Sequence, residues 1–268
     1  MRSANLPPLS PNMTVVTRAV FKASRRLIRD FNEVENLQVS RKGPYDFVTN
    51  ADLASEKILI SELQAGRPDY GFLTEESETI KGENASCRWI IDPIDGTMNF
   101  MHGFPFWCIS VALEKDQEVI CGAVFDPIKN ELFWAEKGIG AFLNDRRIRI
   151  GSRRSPGDAV CAVSYLVSYE KEEKCKSEYD IIKNQVAAVR RTGSIALNLA
   201  YVACGRFDVC AAVTPINYWD IAAGALLIKE AGGNVTDLYG GKLKTSPDTL
   251  VAANMDLLEK ITSLFSRK

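Results

Sequence analysis

Histidine is almost missing from this chain: 268 residues contain one, His102. A single imidazole is too little for a histidine-based phosphatase, a Ser-His-Asp hydrolase or a histidine-rich metal site. Following Met98-Asn-Phe-Met101 in an apolar stretch, His102 reads as a packed, hydrogen-bonded side chain. The seven cysteines are an odd number with no Cys-x-x-Cys pair. That excludes a disulfide framework and a structural zinc site, and leaves small buried hydrophobes in a reducing compartment. No cysteine has an arginine six residues downstream, so a cysteine-nucleophile phosphatase is also excluded. Long apolar runs are absent as well. Nothing approaches the roughly 20 apolar residues that span a bilayer, and the opening MRSANLPPLSPNM does not read as a signal peptide, so the cytoplasm is the expected location. Finally, charge of one sign is lacking. A net charge of −1 gives no footprint for broad nucleic-acid or membrane binding, and leaves only local basic runs at Arg146–Arg154 and Arg190–Arg191.

What is present is an ordinary globular composition, 46% apolar and 25% charged. The three prolines before residue 13 predict a loose arm. Val16, Ala19, Val20, Ala23, Leu27, Phe31 and Val34 then recur at helical spacing until Gly43 and Pro44. A second helix is expected from Asn50 or Asp52 to Gly66, with Leu53, Leu59, Ile60 and Leu63 on its buried side. Short apolar segments at 70–73, 89–91, 107–113, 119–125 and 131–135 read as strands, several of them antiparallel. Beyond a strand at 159–167 the texture alternates: helices near 178–189, 194–203, 220–231 and 255–265, and a strand at 249–253. The expected fold class is α/β, with an α+β first lobe over 13–150 and an α/β second lobe over 151–268.

Acidic residues gather where the chemistry is to be sought. Trp89-Ile-Ile-Asp92-Pro-Ile-Asp95-Gly-Thr97 runs an apolar strand directly into two aspartates. Side chains at strand ends leave the core and face a crevice. Pro93 fixes the turn, and Gly96 lets the backbone approach a ligand closely. If a helix starts there, the amides of Gly96 and Thr97 point at an anion. Asp46-Phe-Val-Thr49-Asn-Ala-Asp52, Glu75-Glu76 after an apolar strand, and Asp220 at the head of an apolar helix add to the set. Taken singly, Asp52 and Asp220 are helix caps, Glu75 and Glu76 a solvated loop, and Asp92 a turn former. Taken together, carboxylates near 4 Å would repel by roughly 4 kcal/mol per pair at an effective dielectric of 20, which calls for cations. All-oxygen donors suit a hard ion, magnesium before zinc.

Asp92-Pro-Ile-Asp-Gly-Thr97, the upstream Glu75-Glu76 and the downstream Trp219-Asp220-Ile-Ala-Ala-Gly224 resemble, in order, the signatures of the inositol monophosphatase family in its bacterial SuhB-type branch. The resemblance implies a five-layered αβαβα sandwich and a lithium-sensitive phosphatase that uses Mg2+. It implies a small phosphorylated metabolite as partner, and often a homodimer. By the same resemblance Glu75, Asp92, Asp95, Asp220 and the Ile94 carbonyl bind the metals. Glu75 and Thr97 activate water, with Asp52 joining the catalytic group. Gly96 and Thr97 amides hold phosphate, and Gly193 and Ser194 approach the alcohol half of the substrate. Lys42 and Asp46–Asp52 are implied to form a mobile loop and helix start near an additional metal, with 78–86 closing over the mouth. Two positions depart from the family pattern. Met98 stands where threonine is frequent, and 211–217 lacks the glutamate that grips a sugar hydroxyl in inositol-specific members. Fructose-1,6-bisphosphate, a 3′-phosphoadenosine nucleotide or histidinol phosphate are therefore alternative substrates, and a macromolecular binding role is the alternative from another class. An aspartyl-nucleophile phosphatase is disfavoured, because its Asp-x-Asp spacing is not that of Asp92 and Asp95.

Overall fold

A computed structural model describes residues 7–33, 39–43, 46–165 and 172–265; the side chains at 39–43, 46–48 and 172 lie outside that description. Val34, Pro44, the tail of the strand expected at 159–167, and the side chains of Lys42 and Asp46 therefore fall outside the described residues. Helix α1 (Pro11–Asn32) starts where the Ser10 hydroxyl accepts the Met13 amide at 3.1 Å. Val16, Ala19, Val20, Ala23 and Leu27 are buried as the periodicity predicts, with Met13 beside them, whereas Phe31 is half-buried. Next, β1 (Val39–Gly43) and β2 (Asp46–Thr49) pair antiparallel where a loop was expected. They lead into α2 (Asn50–Gly66), capped by Thr49 and Asp52. The inward face of α2 differs from expectation. It carries Ala51, Asp52, Ser55, Glu56, Leu59 and Leu63, whereas Leu53 is 39% exposed. Strand-end loops opposite this face offer hydrogen-bond partners, so the helix turns its polar residues towards them and Leu53 towards water.

A seven-stranded sheet follows: β3 (Tyr70–Thr74), β4 (Asn84–Asp95), β5 (Cys108–Lys115), β6 (Glu118–Asp126), β7 (Glu131–Glu136), β8 (Gly140–Leu143) and β9 (Arg146–Arg147), in sequential order. Only β3 and β4 are parallel. A short helix α3 (Thr97–Met101) leaves the end of β4. The 78–86 stretch is laced to the sheet rather than hung over it: Ile80 and Phe72 exchange backbone bonds of 2.8 and 2.9 Å. His102, expected to pack, is exposed, because it caps the C-terminus of α3 with its side chain outward.

The remaining elements are β10 (Val160–Ser164), α4 (Glu172–Lys183), β11 (Ala188–Arg190), α5 (Ile195–Ala203), β12 (Val209–Ala212), α6 (Tyr218–Glu230), β13 (Asn234–Thr236), β14 (Leu250–Ala253) and α7 (Met255–Ser263). They form a five-stranded sheet of order β11-β10-β12-β14-β13. The helix expected near 178–189 lies earlier, and its apolar tail is strand β11, paired parallel with β10. Three apolar clusters order the layers. One joins α1 and α2 to one face of the large sheet. A second joins the other face to α5, α6 and the small sheet. A third joins the small sheet to α4 and α7. The result is an α/β sandwich of five layers, αβαβα, whose central strands are apolar on both faces.

The close fit of α6 to the large sheet sets where Asp220 lies. A Cβ on Gly122 of β6 would sit 3.0 Å from the Cα of Ala223. Backbone cannot yield as a side chain can, so Gly122→Val is expected to lose about 1–3 kcal/mol in urea unfolding. An unchanged midpoint would show that this layer is looser than described.

Candidate active site

Pairing geometry carries the acids together. The parallel register of β3 and β4 extends past Thr74, where the Glu75 amide donates to the Ile91 carbonyl at 3.3 Å. Glu75 thus arrives beside Asp92. The Asp92 carboxylate accepts the Ile94 amide at 2.9 Å, which tightens the turn around Pro93. Asp92 is 1% exposed, and its pKa is pushed well up, first by burial and then by the charges of Glu75, Asp95 and Asp220. Three chain segments far apart in sequence therefore place four carboxylates within electrostatic reach.

Asp95 is buried at the start of α5. Its carboxylate accepts the Ser194 hydroxyl at 2.5 Å and the amides of Ala196 at 2.6 Å and Ile195 at 3.3 Å. Those donors and the helix N-terminus favour the charged form, yet burial outweighs them and raises the pKa. Asp220 occupies the third position of α6 and accepts the Asn217 amide at 2.9 Å. Its pKa is raised to about 8, chiefly by burial and secondarily by the charge of Asp95. The capping reading of Asp52 and Asp220 is thus correct as local structure. Asp52 closes its box with the Thr49 amide at 2.8 Å and also meets the Thr97 hydroxyl at 3.4 Å. Thr97 additionally lies 3.1 Å from the Ile94 carbonyl.

A cleft of about 580 Å³ opens on this group, lined by Asp95, Arg191, Gly193, Ile195, Thr214 and Asp220 among others. Glu75, Asp92, Ile94 and Thr97 adjoin the acids but do not line it. Gly193 takes a left-handed φ of +86°, and a Cβ there would lie 2.8 Å from Nδ2 of Asn99. Ser194, expected to approach the alcohol half of the substrate, is 1% exposed, donates its hydroxyl to Asp95 and caps α5. Thr214, Pro215 and Ile216 face the cleft, and among the described residues no acid other than Asp95 and Asp220 lines it.

Several contributors escaped the sequence reading. Asn99 Nδ2 donates to the carbonyls of Phe106 at 2.6 Å and Thr192 at 2.7 Å, tying α3 to the turn before α5. Buried Glu56 accepts the Glu76 amide at 2.9 Å and the Ser77 hydroxyl. Its signal was its place four residues after Asp52, on the same helical face.

The donor set is hard oxygen. The nearby Cys108 thiol is pushed well up by burial and by Asp95 and Asp92, so it stays protonated and offers no thiolate. These acids suit a divalent cation such as magnesium. Among the described residues, no three His, Cys, Asp or Glu side chains are as they stand arranged to hold a metal ion. Asp92, Asp95 and Asp220 each accept hydrogen bonds from backbone amides, which disperse their charge.

A model described as the inositol monophosphatase family matches residues 9–268. The inositol-1-monophosphatase of Rhizobium meliloti is 46% identical over 256 residues, 95% of this chain and 96% of that protein. A protein of Escherichia coli K12 named Nus factor SuhB is 35% identical over 249 residues, 92% of each chain. The crystal structure of extragenic suppressor protein suhB from Bartonella henselae matches with a TM-score of 0.93 at 44% identity, over 96% of this chain and 99% of that one. The inositol monophosphatase from Anabaena matches at 0.82 and 30%, over 94% of each.

Carboxyls whose pKa is raised by folding bind protons more tightly folded than unfolded. Their contribution is therefore favourable at low pH and is lost as pH rises from the ordinary value towards the folded one. For Asp220 that window runs from 3.8 to about 8. In metal-free buffer, Asp220→Asn should gain thermal stability relative to the parent chain, by more at pH 8 than at pH 5. A melting-temperature difference independent of pH would refute the coupling.

Proposed function

Because the chain belongs to the inositol monophosphatase family, we propose that it hydrolyses a small phosphomonoester, myo-inositol monophosphate first among them, to alcohol and phosphate with Mg2+ and metal-activated water. One observation carries this reading: Asp92 is buried beside three other carboxylates whose charges all oppose its ionisation. Such an arrangement is costly without a cation and useful with one. The ligands are Glu75, Asp92, Asp95 and Asp220 with the Ile94 carbonyl. Magnesium, when bound, supplies Lewis-acid charge to the phosphoryl oxygens and lowers the pKa of water.

The rest is done by the chain. Glu75 accepts the proton of the attacking water. Thr97, held between the Ile94 carbonyl and Asp52, orients that water through its free lone pair. The amides of Gly96 and Thr97, at the start of α3 where a helix has no internal acceptors, bind the phosphoryl group. Water attacks phosphorus in line, the P–O bond to the alcohol breaks, and the alkoxide leaves as alcohol once protonated; no phosphoenzyme forms. Gly193, Ile195 and Thr214 wall the alcohol half, and Ser194 acts from behind by holding Asp95. The lobe 13–150 thus carries most of the charge chemistry, and 151–268 supplies Asp220 and the specificity wall. With Thr214, Pro215 and Ile216 in that wall and, among the described residues, no acid beyond Asp95 and Asp220, a polyol meets no further carboxylate there, so discrimination among phosphomonoesters should be modest.

A second reading has support of its own: relatives 35–39% identical are named Nus factor SuhB. The scaffold then also binds a macromolecule, independently of turnover. A cell carrying only Asp95→Asn and keeping full function would favour that role.

Phosphate release should be screened over polyol, sugar and nucleotide monoesters, with fructose-1,6-bisphosphate and histidinol phosphate included. Turnover is expected to need magnesium, to weaken with lithium, and to fall at least about 100-fold in Asp95→Asn. Magnesium-independent release, or an unaffected variant, would overturn the mechanism.

A further inference from the structure

Helix α2 touches the site with more than Asp52. Ser55 and Glu56 follow it by three and four residues, on the same face, and all three are at most 1% exposed. Each contacts a different part of the site. Asp52 meets Thr97 at 3.4 Å. Ser55 donates to the Pro93 carbonyl, between the two aspartates, at 3.3 Å. Glu56 receives the Glu76 amide on one oxygen at 2.9 Å and the Ser77 hydroxyl on the other. A buried glutamate with both oxygens engaged by one turn, and no lysine or arginine paired with it among the described residues, is a costly way merely to pack a helix. Its effect is specific: it ties to α2 the backbone that follows Glu75, whose own amide donates to the Ile91 carbonyl at 3.3 Å.

We infer that Glu56 is a positioning residue, through which α2 holds the Glu75–Ser77 turn in register with the Asp92–Thr97 turn, and that it sets divalent-cation affinity without touching cation or substrate. The inference rests on the phosphatase reading and assigns it a residue on an element that bears no ligand of its own at that position. Removing Glu56 frees the Glu76 amide and the Ser77 hydroxyl, so the turn is no longer tied to α2. Glu75 then spends less time where its carboxylate reaches the other acids. Outer partners of this kind typically alter metal affinity or activity by about 10–100-fold.

The test is calorimetric titration of the unloaded full chain with magnesium chloride, beside steady-state kinetics on inositol monophosphate. Glu56→Ala should bind magnesium at least about 10-fold more weakly and lose kcat, with KM little changed. Glu56→Gln keeps an oxygen for the Glu76 amide and offers its own amide to the Ser77 oxygen, so it should restore most of both. Ser77→Ala removes one contact alone and should fall between; it also carries the test if Glu56→Ala does not fold. Parent-like magnesium affinity and kcat in Ser77→Ala and in any folded Glu56→Ala overturn the inference while Asp95→Asn remains inactive. An active Asp95→Asn would instead remove the phosphatase reading, and the positioning role with it.

Discussion

Four carboxylates that repel one another are held together, Asp92 and Asp95 buried, and the surrounding fold is organised around keeping them there. Asp92 receives opposing charge from Glu75, Asp95 and Asp220, and at an effective dielectric near 20 each close pair costs roughly 4 kcal/mol. The chain meets this cost with dipoles. Asp95 sits on the first amides of α5, Asp220 takes the Asn217 amide, and Asp92 takes the Ile94 amide. Each bond lowers the cost of charge without removing it, and the raised pKa values record the residue left for a cation or a proton to neutralise.

Rigid elements supply the acids from both sides. The β3–β4 pairing delivers Glu75 and Asp92, the close packing of α6 on Gly122 delivers Asp220, and the capped start of α5 meets Asp95 from the second half of the chain. Since α5 and α6 pack on both sheets, the cleft lies where the two halves share a core. Displacement of either half would move its acids relative to the other's, so the geometry of the acids and global packing are tied to the same interface.

The cleft extends beyond the acids. Thr214, Pro215 and Ile216 line it together with Ser164, Tyr165, Arg191 and Gly193, all from the second half of the chain.

Much was legible in the sequence because it was local or periodic. Apolar spacing marks α1 and α7, strand-like runs mark β3 to β7, and Asp92-Pro-Ile-Asp-Gly-Thr97 announces its turn through residue type alone. Readings failed where a partner far along the chain decided the outcome. The tail of the expected helix at 178–189 became β11 because β10 offered a parallel edge; Leu53 turned outward because the strand-end loops gave Asp52, Ser55 and Glu56 better partners inside. His102 reversed its expected packing because it was left at a helix end. Residue chemistry and short-range periodicity thus determined which elements form and which acids are available, since both act within a few residues. Only the tertiary structure decided which side chains meet, because hydrogen bonding and charge repulsion depend on distance in space.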